Sequence, residues 1–396
     1  DNKDKKVLNV PHLRFPEFSG EWVTKSINDL AVVIGGGTPD TTVKSYWDGE
    51  IQWFTPSEIG KNKYVDSSLR TITEVGLNNS SAKLLPPNTI LLSSRATIGE
   101  CSLSLRECAT NQGFQCLVSK KCNVDFLYYL IQTKKKDLIR KSCGSTFLEI
   151  SANEVRKIQV SVPSDVEQQK IAELLSLIDE RIATQNKIIE KLQSLIKGLS
   201  QQLLSSENDW ILYRLDDLAQ IKSGYSGTQV SYQTPYKVSR IETISKHCID
   251  IQRIGYVECI PESYRLNVGN ILFSNINSIQ YIGNTAYLDK DYGLYHGMNL
   301  LRIIPNTTIV RPRFLHLLLC TDWAINYFQT ICNKAVSQAS INQTALGKSR
   351  FPIPPMSVQQ QICSMFELTE RKLDNEQEYI SCLQQQKRYL LQKMFI

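Results

Sequence analysis

An internal repeat constrains this chain more than any other feature of its sequence. Ile27–Ala31 reads Ile-Asn-Asp-Leu-Ala, and Leu215–Ala219 repeats it as Leu-Asp-Asp-Leu-Ala about 190 residues later. Near the end of each half, Val162–Pro163 and Ile353–Pro354 precede the same Gln-Gln pair and an isoleucine. A period of this length indicates two copies of one structural unit. We therefore expect a mixed domain of about 140 residues followed by a long helix, twice over.

Each predicted helix carries an apolar heptad pattern. From 164 to 204 the apolar positions alternate spacings of four and three, and the pattern returns less purely at the end of the chain. Ser164 with Glu167, and Ser357 with Gln360, have the spacing of capping boxes that start helices. About 40 residues at 1.5 Å each give helices of roughly 60 Å, which could bury their stripes against each other. The expected seam positions are Ile171, Leu175, Ile178, Ile182, Ile189, Leu192, Ile362, Phe366, Leu373, Ile380 and Leu383.

Two polar residues interrupt this seam at equivalent points of the repeat, Gln185 in the first helix and Glu376 in the second. A buried polar pair can fix the register of two helices at some cost in stability, and ordinary imperfection of the seam is the alternative. A further alternative for the helices themselves is that each packs on its own domain.

The pattern predicts an α+β chain with two pseudo-symmetric mixed α/β domains separated by two long antiparallel coiled-coil helices. Residues 89–92 are bounded by turn residues and predict a strand, whereas 126–131 and 314–320 open helical patterns. The expected segments are an N-terminal arm (1–20), a first mixed domain (21–163), a central helix (164–206), a second mixed domain (207–356) and a C-terminal helix (357–396).

The net charge of +6 is confined to the predicted globular parts. There are 21 basic and 17 acidic residues in 1–164, and 14 basic and 11 acidic residues in 205–356. The first predicted helix has five basic and six acidic residues, and the second has five of each. Mildly basic domains on a neutral spacer suit an anionic partner. The densest basic cluster, Lys134–Lys136 with Arg140 and Lys141, predicts phosphate contacts or a solvated helix face.

Composition argues against several classes of protein. No run approaches the roughly 18 apolar residues of a membrane span, and the charged start gives no sign of a signal peptide. The eleven cysteines are scattered without a Cys-x-x-Cys motif, and the four histidines lack zinc-ligand spacing. We expect reduced thiols, no metal site and a cytoplasmic location.

Catalytic motifs are incomplete. Gly347–Ser349 resembles the end of a phosphate-binding loop, but Asn342 stands where the leading glycine belongs. Asp40 and Glu50 approach a metal-dependent nuclease pattern, yet Gln52 replaces the expected lysine. We predict no catalytic residue in this chain and keep a nuclease using Asp40 and Glu50 as one alternative.

Several short phrases of the sequence are distinctive when taken together. They are Leu13–Phe18 before Trp22, Gly36–Pro39, Tyr46–Trp53, Thr110–Gly113, Val162–Pro163 and Glu167–Ile171. In this combination they resemble one known family, the specificity subunits of type I restriction-modification enzymes. The resemblance covers essentially the whole chain, although in the second half the Gly-Thr-Pro and Tyr-Trp phrases are absent. There His296–Gly297 stands where a counterpart of Gln112–Gly113 is expected, and Val358 replaces the glutamate before the glutamine pair.

The resemblance implies that each basic domain is a target recognition domain reading one half of a bipartite double-stranded DNA site. The helices would space the two domains and dock two methyltransferase (M) subunits, through which restriction (R) subunits attach; no membrane is involved. S-adenosylmethionine, ATP and Mg are then expected on the partner subunits, with no cofactor in this chain and a bacterial or archaeal cytoplasmic location. Successive major-groove faces lie about 34 Å apart, within the reach of helices of roughly 60 Å.

Basic and amide side chains in loops are the expected DNA contacts, because they can meet phosphates and base edges. A solvated or structural loop position is the alternative for each, and Trp47 and Trp53 are expected to anchor loops. The alternative function is a protein-protein adaptor with duplicated partner sites and no DNA contact. The expected DNA-contacting residues are Lys63, Arg95, Asn111, Gln112, Lys134, Lys135, Lys136, Arg140, Asn275, Asn277, Tyr281, His296 and Gln338.

Overall fold

The computed structural model describes residues 9–144, 148–205, 210–245, 247–334 and 338–396. The chain divides into two compact units, which we call the first unit (Asp1–Ile188 with Glu376–Ile396) and the second unit (Ile189–Asn375). Each long helix therefore contributes to both units. The predicted boundary between 206 and 207 lies outside the described residues, and the predicted domain limits stay predictions.

Three sheets build the described part of the first unit. Their strand orders are β2-β9-β6-β7-β4, β5-β3-β8 and the antiparallel pair β1-β10. The strands are β1 (Val23–Ser26), β2 (Ala31–Gly35), β3 (Trp47–Phe54), β4 (Tyr64–Val65), β5 (Arg70–Ile72), β6 (Ile90–Leu92), β7 (Cys101–Ser104), β8 (Cys108–Thr110), β9 (Gln115–Ser119) and β10 (Gln159–Val162). The helices are α1 (Ile27–Leu30), α2 (Glu74–Asn78), α3 (Val124–Thr133), α4 (Lys135–Arg140), α5 (Ala152–Arg156) and the long α6 (Asp165–Leu203), which continues into the second unit.

Four sheets build the described part of the second unit, with strand orders β12-β20-β16-β18, β13-β15-β14-β19, β17-β22-β21 and β11-β23. The strands are β11 (Ile211–Arg214), β12 (Ala219–Ser223), β13 (Gln229–Val230), β14 (Tyr236–Val238), β15 (Gly255–Val257), β16 (Ile271–Phe273), β17 (Ile276–Asn277), β18 (Thr285–Tyr287), β19 (Leu294–Tyr295), β20 (Leu301–Pro305), β21 (Asn333–Lys334), β22 (Ala339–Ser340) and β23 (Arg350–Ile353). The helices are α7 (Leu215–Leu218), α8 (Pro312–Leu319), α9 (Asp322–Ile331), α10 (Gln343–Gly347) and the long α11 (Met356–Lys393).

The repeat seen in the sequence is present in the structure. The matched Ile27–Ala31 and Leu215–Ala219 segments both form a one-turn helix leading into the first strand of a sheet. In each unit the strand before that helix pairs antiparallel with the strand before the long helix. Gly99 and Gly283, another matched pair, both adopt positive φ, at 86° and 83°. The predicted α+β class and the duplication are confirmed.

Within the first unit the two long helices run antiparallel. In the first unit Asp179 pairs with Lys387 at 2.7 Å, whereas Gln185, six residues further along α6, bonds to Glu376. The predicted seam residues are all buried or half-buried. In the first unit the buried ones are Ile171, Leu175, Ile178 and Leu383, and the half-buried ones are Ile182 and Ile380. In the second unit the buried ones are Ile362 and Phe366, and the half-buried ones are Ile189, Leu192 and Leu373. The register role of Gln185 and Glu376 stays a prediction. No helix in the described ranges is long and apolar enough to cross a membrane.

A repeated glutamine ties the start of each long helix to the preceding domain. Gln168 accepts the backbone N–H of Asn123 at 3.1 Å and donates to the carbonyl of Pro163 at 3.0 Å. Gln359 does the same in the second unit, accepting from the N–H of Arg311 at 2.8 Å and donating to the carbonyl of Pro354 at 2.9 Å. The Gln-Gln motif therefore fixes the angle at which each helix leaves its domain.

Helix α6 begins at Asp165, directly after Ser164, as the predicted capping box requires, but the predicted helix start at Ser357 is wrong. Glu167 is buried and bonds to Arg14, with Nε–Oε1 at 2.7 Å, and to the indole N–H of Trp22 at 3.3 Å. Helix α11 begins at Met356, so Ser357 lies inside it. Arg14, which is far from Glu167 in sequence, binds the carboxylate that local spacing assigned to a helix cap. A buried charge is costly without a countercharge beside it.

Candidate nucleic-acid interface

In the first unit, the loop after β6 forms a short ladder with a hairpin that follows α4. Arg95 pairs with Glu149, which in turn pairs with Cys143, as isolated antiparallel bridges. The N–H of Ile150 donates to the carbonyl of Ser94 at 3.1 Å. Residues 145–147 of the hairpin lie outside the described residues. We call this arrangement the edge ladder of the first unit.

The second unit has the same ladder after β16. Strand β17 pairs with β22, which pairs with β21, and the N–H of Ile341 donates to the carbonyl of Asn275 at 2.9 Å. These bonds make Asn275 the counterpart of Ser94, and Ile276 the counterpart of Arg95. Sequence reasoning chose Arg95 in one half and Asn275, Asn277 and Gln338 in the other without using this equivalence, and the structure brings all four to the edge ladders.

The side chains on the ladders differ in exposure. Arg95 is 42% exposed and its Nη2 lies 2.9 Å from Glu149 Oε2. Asn277 accepts the N–H of Ser278 and donates to Ser274, and Asn275 Oδ1 is buried without a hydrogen-bond partner. Gln338 and Tyr281 are exposed. The ladders therefore present a mixture of free and engaged polar groups.

A glycine loop packs against the turn that contains Asn111 and Gln112. A Cβ at Gly36 would lie 2.0 Å from the carbonyl oxygen of Asn111, so only glycine fits. Thr38 donates to Gln112 Oε1 at 2.5 Å, and the N–H of Ser94 donates to the carbonyl of Gly113 at 2.8 Å. Gln112 is exposed and Asn111 half-buried, and the structure brings both beside the edge ladder of the first unit.

Two tryptophans hold this glycine loop in place. The indole of Trp53 donates to the carbonyl of Gly37 at 2.9 Å, and that of Trp47 donates to the carbonyl of Asp40 at 3.0 Å. Their rings pack edge to face, 5.1 Å apart, with the guanidinium of Arg70 over the ring of Trp47. Both indoles are buried, and their contacts are those of loop anchors.

Asp40, one half of the alternative nuclease pattern, is engaged locally. Its carboxylate accepts both the hydroxyl of Thr42 at 2.7 Å and the backbone N–H of the same residue at 2.9 Å. These bonds, the side-chain one first, lower the pKa of Asp40. The arrangement is that of a turn, in which an acidic side chain satisfies nearby backbone groups.

His296 occupies a different position from the one its sequence context indicates. Tyr225 donates its backbone N–H to the carbonyl of His296 at 3.0 Å, whereas in the first unit Gly37 donates to Thr110 at 2.8 Å. His296 therefore corresponds to Thr110. Its ring is buried, its Nε2 lies 3.0 Å from the carbonyl of Leu300, and burial lowers its pKa to about 4.

Lys63 lies away from the edge ladder and joins the first domain to its helix. Its ammonium pairs with Asp125 at 2.5 Å, bonds to Ser176 of α6 at 2.7 Å and lies over the ring of Tyr129. Lys63 is buried, which argues against a phosphate contact by this residue.

The basic residues on and beside α4 are only partly free. Lys134 is half-buried and bonds to the carbonyl of Ile396 at 2.7 Å, and burial lowers its pKa. Lys135 pairs with Glu100, and Arg140 with Asp137 at 2.8 Å. Lys136 is exposed. This helix leads into the hairpin of the edge ladder, so its exposed cations extend the same surface.

Sequence reasoning missed a cleft in the second unit that Lys222, His296 and Arg302 line. An alignment of the two repeats could have indicated this cleft from the sequence. Lys222 stands where the first half has Ile34, and strand register places Arg302 where the first half has Cys116.

Comparison with known families decides what this duplicated arrangement is. The family model for the type I restriction modification DNA specificity domain matches residues 19–194 and again residues 207–385. The chain belongs to the type I restriction-modification specificity-subunit family. It therefore contains two DNA specificity domains, one in each half.

Individual members of this family are similar to the chain in sequence or in fold. The type I restriction enzyme MjaIX specificity subunit of Methanocaldococcus jannaschii is 30% identical over 327 residues, which cover 69% of this chain and 75% of that protein. The specificity subunit of an Escherichia coli type I restriction enzyme is 29% identical over 224 residues, 54% of this chain and 52% of the relative. The S subunit structure from M. genitalium superposes with a TM-score of 0.60 at 16% identity, covering 98% of this chain and 99% of that one. That likeness shows a shared fold and confirms the predicted fold class.

Proposed function

We propose that each unit of this specificity-subunit family member reads one half of a bipartite double-stranded DNA site through its edge ladder and the loops beside it. The observation that carries the proposal is the equivalence of the two backbone ladders, on or beside which each unit presents polar or basic side chains. Arg95 with Gln112 in the first unit, and Asn277 with Gln338 in the second, have the donors and acceptors that base edges require.

Polar clamps between each domain and its own helix segment support a fixed attachment. In the first unit the hydroxyl of Tyr129 donates to Asp179 of α6 at 2.7 Å, and Lys387 pairs with the same carboxylate. In the second unit Arg313 pairs with Glu370 of α11, and the indole of Trp323 donates to the carbonyl of Leu204 at 2.7 Å. A domain held this firmly can use its helix as a ruler, so the gap between half-sites is set by the protein.

The outward faces of the helices are the proposed docking surface for two M subunits, with R subunits attached through them. Large apolar side chains that are exposed on α6 and α11 support this role, because burial of apolar surface against a partner is favourable. Methyl transfer and ATP-dependent cleavage, with S-adenosylmethionine, ATP and Mg, would then belong to those partners. The exposed side chains include Val166 (70%), Leu177 (58%), Leu195 (49%), Leu368 (65%) and Tyr389 (55%).

Methylome sequencing of cells that express this chain with its M subunit tests the proposal. We expect one new methylated motif with two specified blocks around an unspecified gap. Replacing residues 21–163 with the same domain of a relative should change one block and leave the other block and the gap length unchanged. A matched control, Arg106→Ala, breaks an exposed ion pair of the same domain away from the edge ladder and should leave both blocks unchanged.

The same experiment separates the adaptor alternative. An adaptor without DNA contact would give either no new motif or a motif that stays unchanged when residues 21–163 are exchanged. Reversal of charge at Arg95 and Lys136 would then leave the function intact, whereas the DNA-reading proposal expects it to abolish methylation at the site.

A further inference from the structure

The cleft of the second unit has a volume of about 470 Å³ and a cationic lining. Lys222, Arg302 and His296 contribute to it together with Ser223, Ser263 and Gln343. Among the described residues that line this Lys222–Arg302 cleft, none carries a carboxylate. The lining therefore offers hydrogen-bond donors and positive charge to whatever enters.

The two cations of the cleft face each other across a pair of strands. Lys222 of β12 and Arg302 of β20 are direct partners in the antiparallel register. Like charges at directly opposed positions destabilise a sheet, since their side chains project from the same face a few ångströms apart. Lys222 is exposed, so solvent screens part of this repulsion, and an anion between the two side chains would remove the rest.

Among the residues that the structure describes, no carboxylate pairs with Arg302, although a buried guanidinium normally has such a countercharge. Arg302 is only 5% exposed, and its partners are Asn270 Oδ1 at 2.8 Å and the carbonyl of Ser263 at 3.4 Å, both neutral. Burial lowers its pKa. A guanidinium has five N–H donors, and a charge taken out of water is costly without an opposite charge beside it. This second observation independently indicates a missing anion.

The first unit shows that the fold itself does not require these charges. The residues opposed at the same place between β2 and β9 are Ile34 and Cys116. Cys116 is fully buried in an apolar cluster that also contains Leu91 and Phe114. An apolar pair therefore serves the shared scaffold, and the cationic pair is specific to the second unit.

The position of the cleft relates it to the edge ladder. Gln343 lies three residues after Ser340 of β22, and Ser223 donates to Gln343 Oε1 at 3.5 Å. On its other side, the cleft is bounded by His296, whose carbonyl holds the loop after β12. The segment from Ser340 to Gln343 therefore connects the edge ladder of the second unit directly to the cleft.

We propose that the Lys222–Arg302 cleft binds a phosphate group of the DNA backbone beside the half-site read by the second unit. This inference rests on the proposed function. A phosphate oxygen accepts from the free N–H groups of Arg302, from the Lys222 ammonium and from the serine hydroxyls, and its charge supplies the counterion that the cleft lacks. Such a contact adds affinity and fixes register on the duplex without reading sequence.

Phosphate ethylation interference on the complex with M subunits tests the proposal with Lys222→Ile, which installs the residue of the first unit. The DNA is the bipartite duplex identified from the methylome. In the wild type, ethylation of a phosphate flanking the second unit's half-site should block binding, and in the variant that block should disappear. The slope of log Kobs against log salt should fall by about 1, with an affinity loss of about fivefold near 0.15 M salt. Lys290→Ile removes an exposed lysine from the same unit outside the cleft and should retain the block at that phosphate.

Two further measurements keep the outcome decisive. Arg302→Met should abolish the same interference signal; if this variant fails to fold, as judged by its melting temperature, the Lys222 variant alone decides. Inorganic phosphate, added to the wild type and to Lys222→Ile without DNA, tests the other source of the anion. An unchanged interference pattern in Lys222→Ile overturns the inference. If phosphate raises Tm of the wild type alone while that pattern is unchanged, the cleft binds free phosphate and the DNA assignment is wrong.

The failure of this inference is distinguishable from the failure of the proposed function. A complex that binds no bipartite site shows no interference in any variant, which contradicts the proposed function. A complex that binds the site with identical interference in wild type and variants contradicts only the cleft.

Discussion

The two units build the same backbone ladder from different side chains. In the first unit Arg95 and Glu149 face each other on it, whereas Ile276 and Ser340 take these positions in the second. Beside the ladder, the first unit has an apolar strand pair at Ile34 and the second has the cationic pair at Lys222. Main-chain hydrogen bonds thus preserve the scaffold, while the side chains that point away from it are free to differ. This combination is what the proposed function requires, since each unit would read a different half-site.

The histidines give the largest difference in expected behaviour between the units. Burial is the first cause that lowers the pKa of His296 to about 4 and that of His316 to about 3, both in the second unit. A histidine with a folded pKa below its unfolded value contributes stability that is complete above about pH 6.5 and is lost as the pH falls through the folded pKa. The first unit contains only His12.

Acidification from pH 7 to 4.5 should therefore destabilise the second unit selectively, by about 3 kcal/mol or more. Hydrogen exchange followed by mass spectrometry, corrected for the intrinsic effect of pH on exchange, assigns the loss of protection to each unit. His296→Thr, which installs the residue found at Thr110, should reduce the selectivity. Equal losses of protection in both units would contradict the predicted difference in acid sensitivity between them.

The buried ion pair at the start of α6 is the next largest difference. Glu167 is 1% exposed and pairs with Arg14, whereas Val358 stands at the matching position of the second half. Glu167→Val should destabilise the first unit by about 3 kcal/mol in urea unfolding, because Arg14 loses its countercharge. Lys170→Met, which breaks an exposed pair with Glu17, is the control and should cost less than about 1 kcal/mol.

The helix-start glutamines should instead behave alike. Gln168→Leu and Gln359→Leu each leave a backbone N–H and a carbonyl without their partner, at an expected cost of about 2 kcal/mol in the unit concerned. Urea unfolding monitored by hydrogen exchange in each unit measures both values. A difference above about 1 kcal/mol between the two would mean that the clamps are not equivalent, despite their matching bonds.

Arg95 should affect DNA binding more than folding. Its side chain is 42% exposed and pairs with a carboxylate that is 37% exposed, so Arg95→Ala should change stability by less than about 1 kcal/mol. If Arg95 contacts a base, affinity should fall about tenfold and discrimination should relax at one position of the first block only. Arg106→Ala, which breaks the exposed pair with Asp66, is the control and should leave specificity unchanged.

Local patterns in the sequence predict the scaffold well. The heptad spacing predicts both long helices, and the matched phrases predict the shared helix-and-strand start of each unit, because these features depend on neighbours within a few turns or on direct duplication. Arg95 was chosen because it follows a predicted strand, and Asn275 because it lies in a loop rich in polar side chains; their contacts with DNA stay predictions.

Long-range partners explain what the sequence could not predict. The sequence indicates a surface lysine at Lys63. In the fold its ammonium bonds to Ser176, which is 113 residues away in sequence. The sequence indicates a helix cap at Glu167. In the fold its carboxylate accepts a hydrogen bond from Arg14, which is 153 residues away in sequence. The opposition of Lys222 and Arg302 requires the strand register, which no local pattern specifies.

Nuclease footprinting of the complex with M subunits on its methylated duplex tests the central claim most directly. Two readers on a fixed spacer predict two protected blocks on either side of a gap whose sequence can be changed without loss of affinity. Exchange of residues 21–163 should move the sequence requirement of one block and leave the other in place. A single continuous block, or two blocks that change together, would contradict the account.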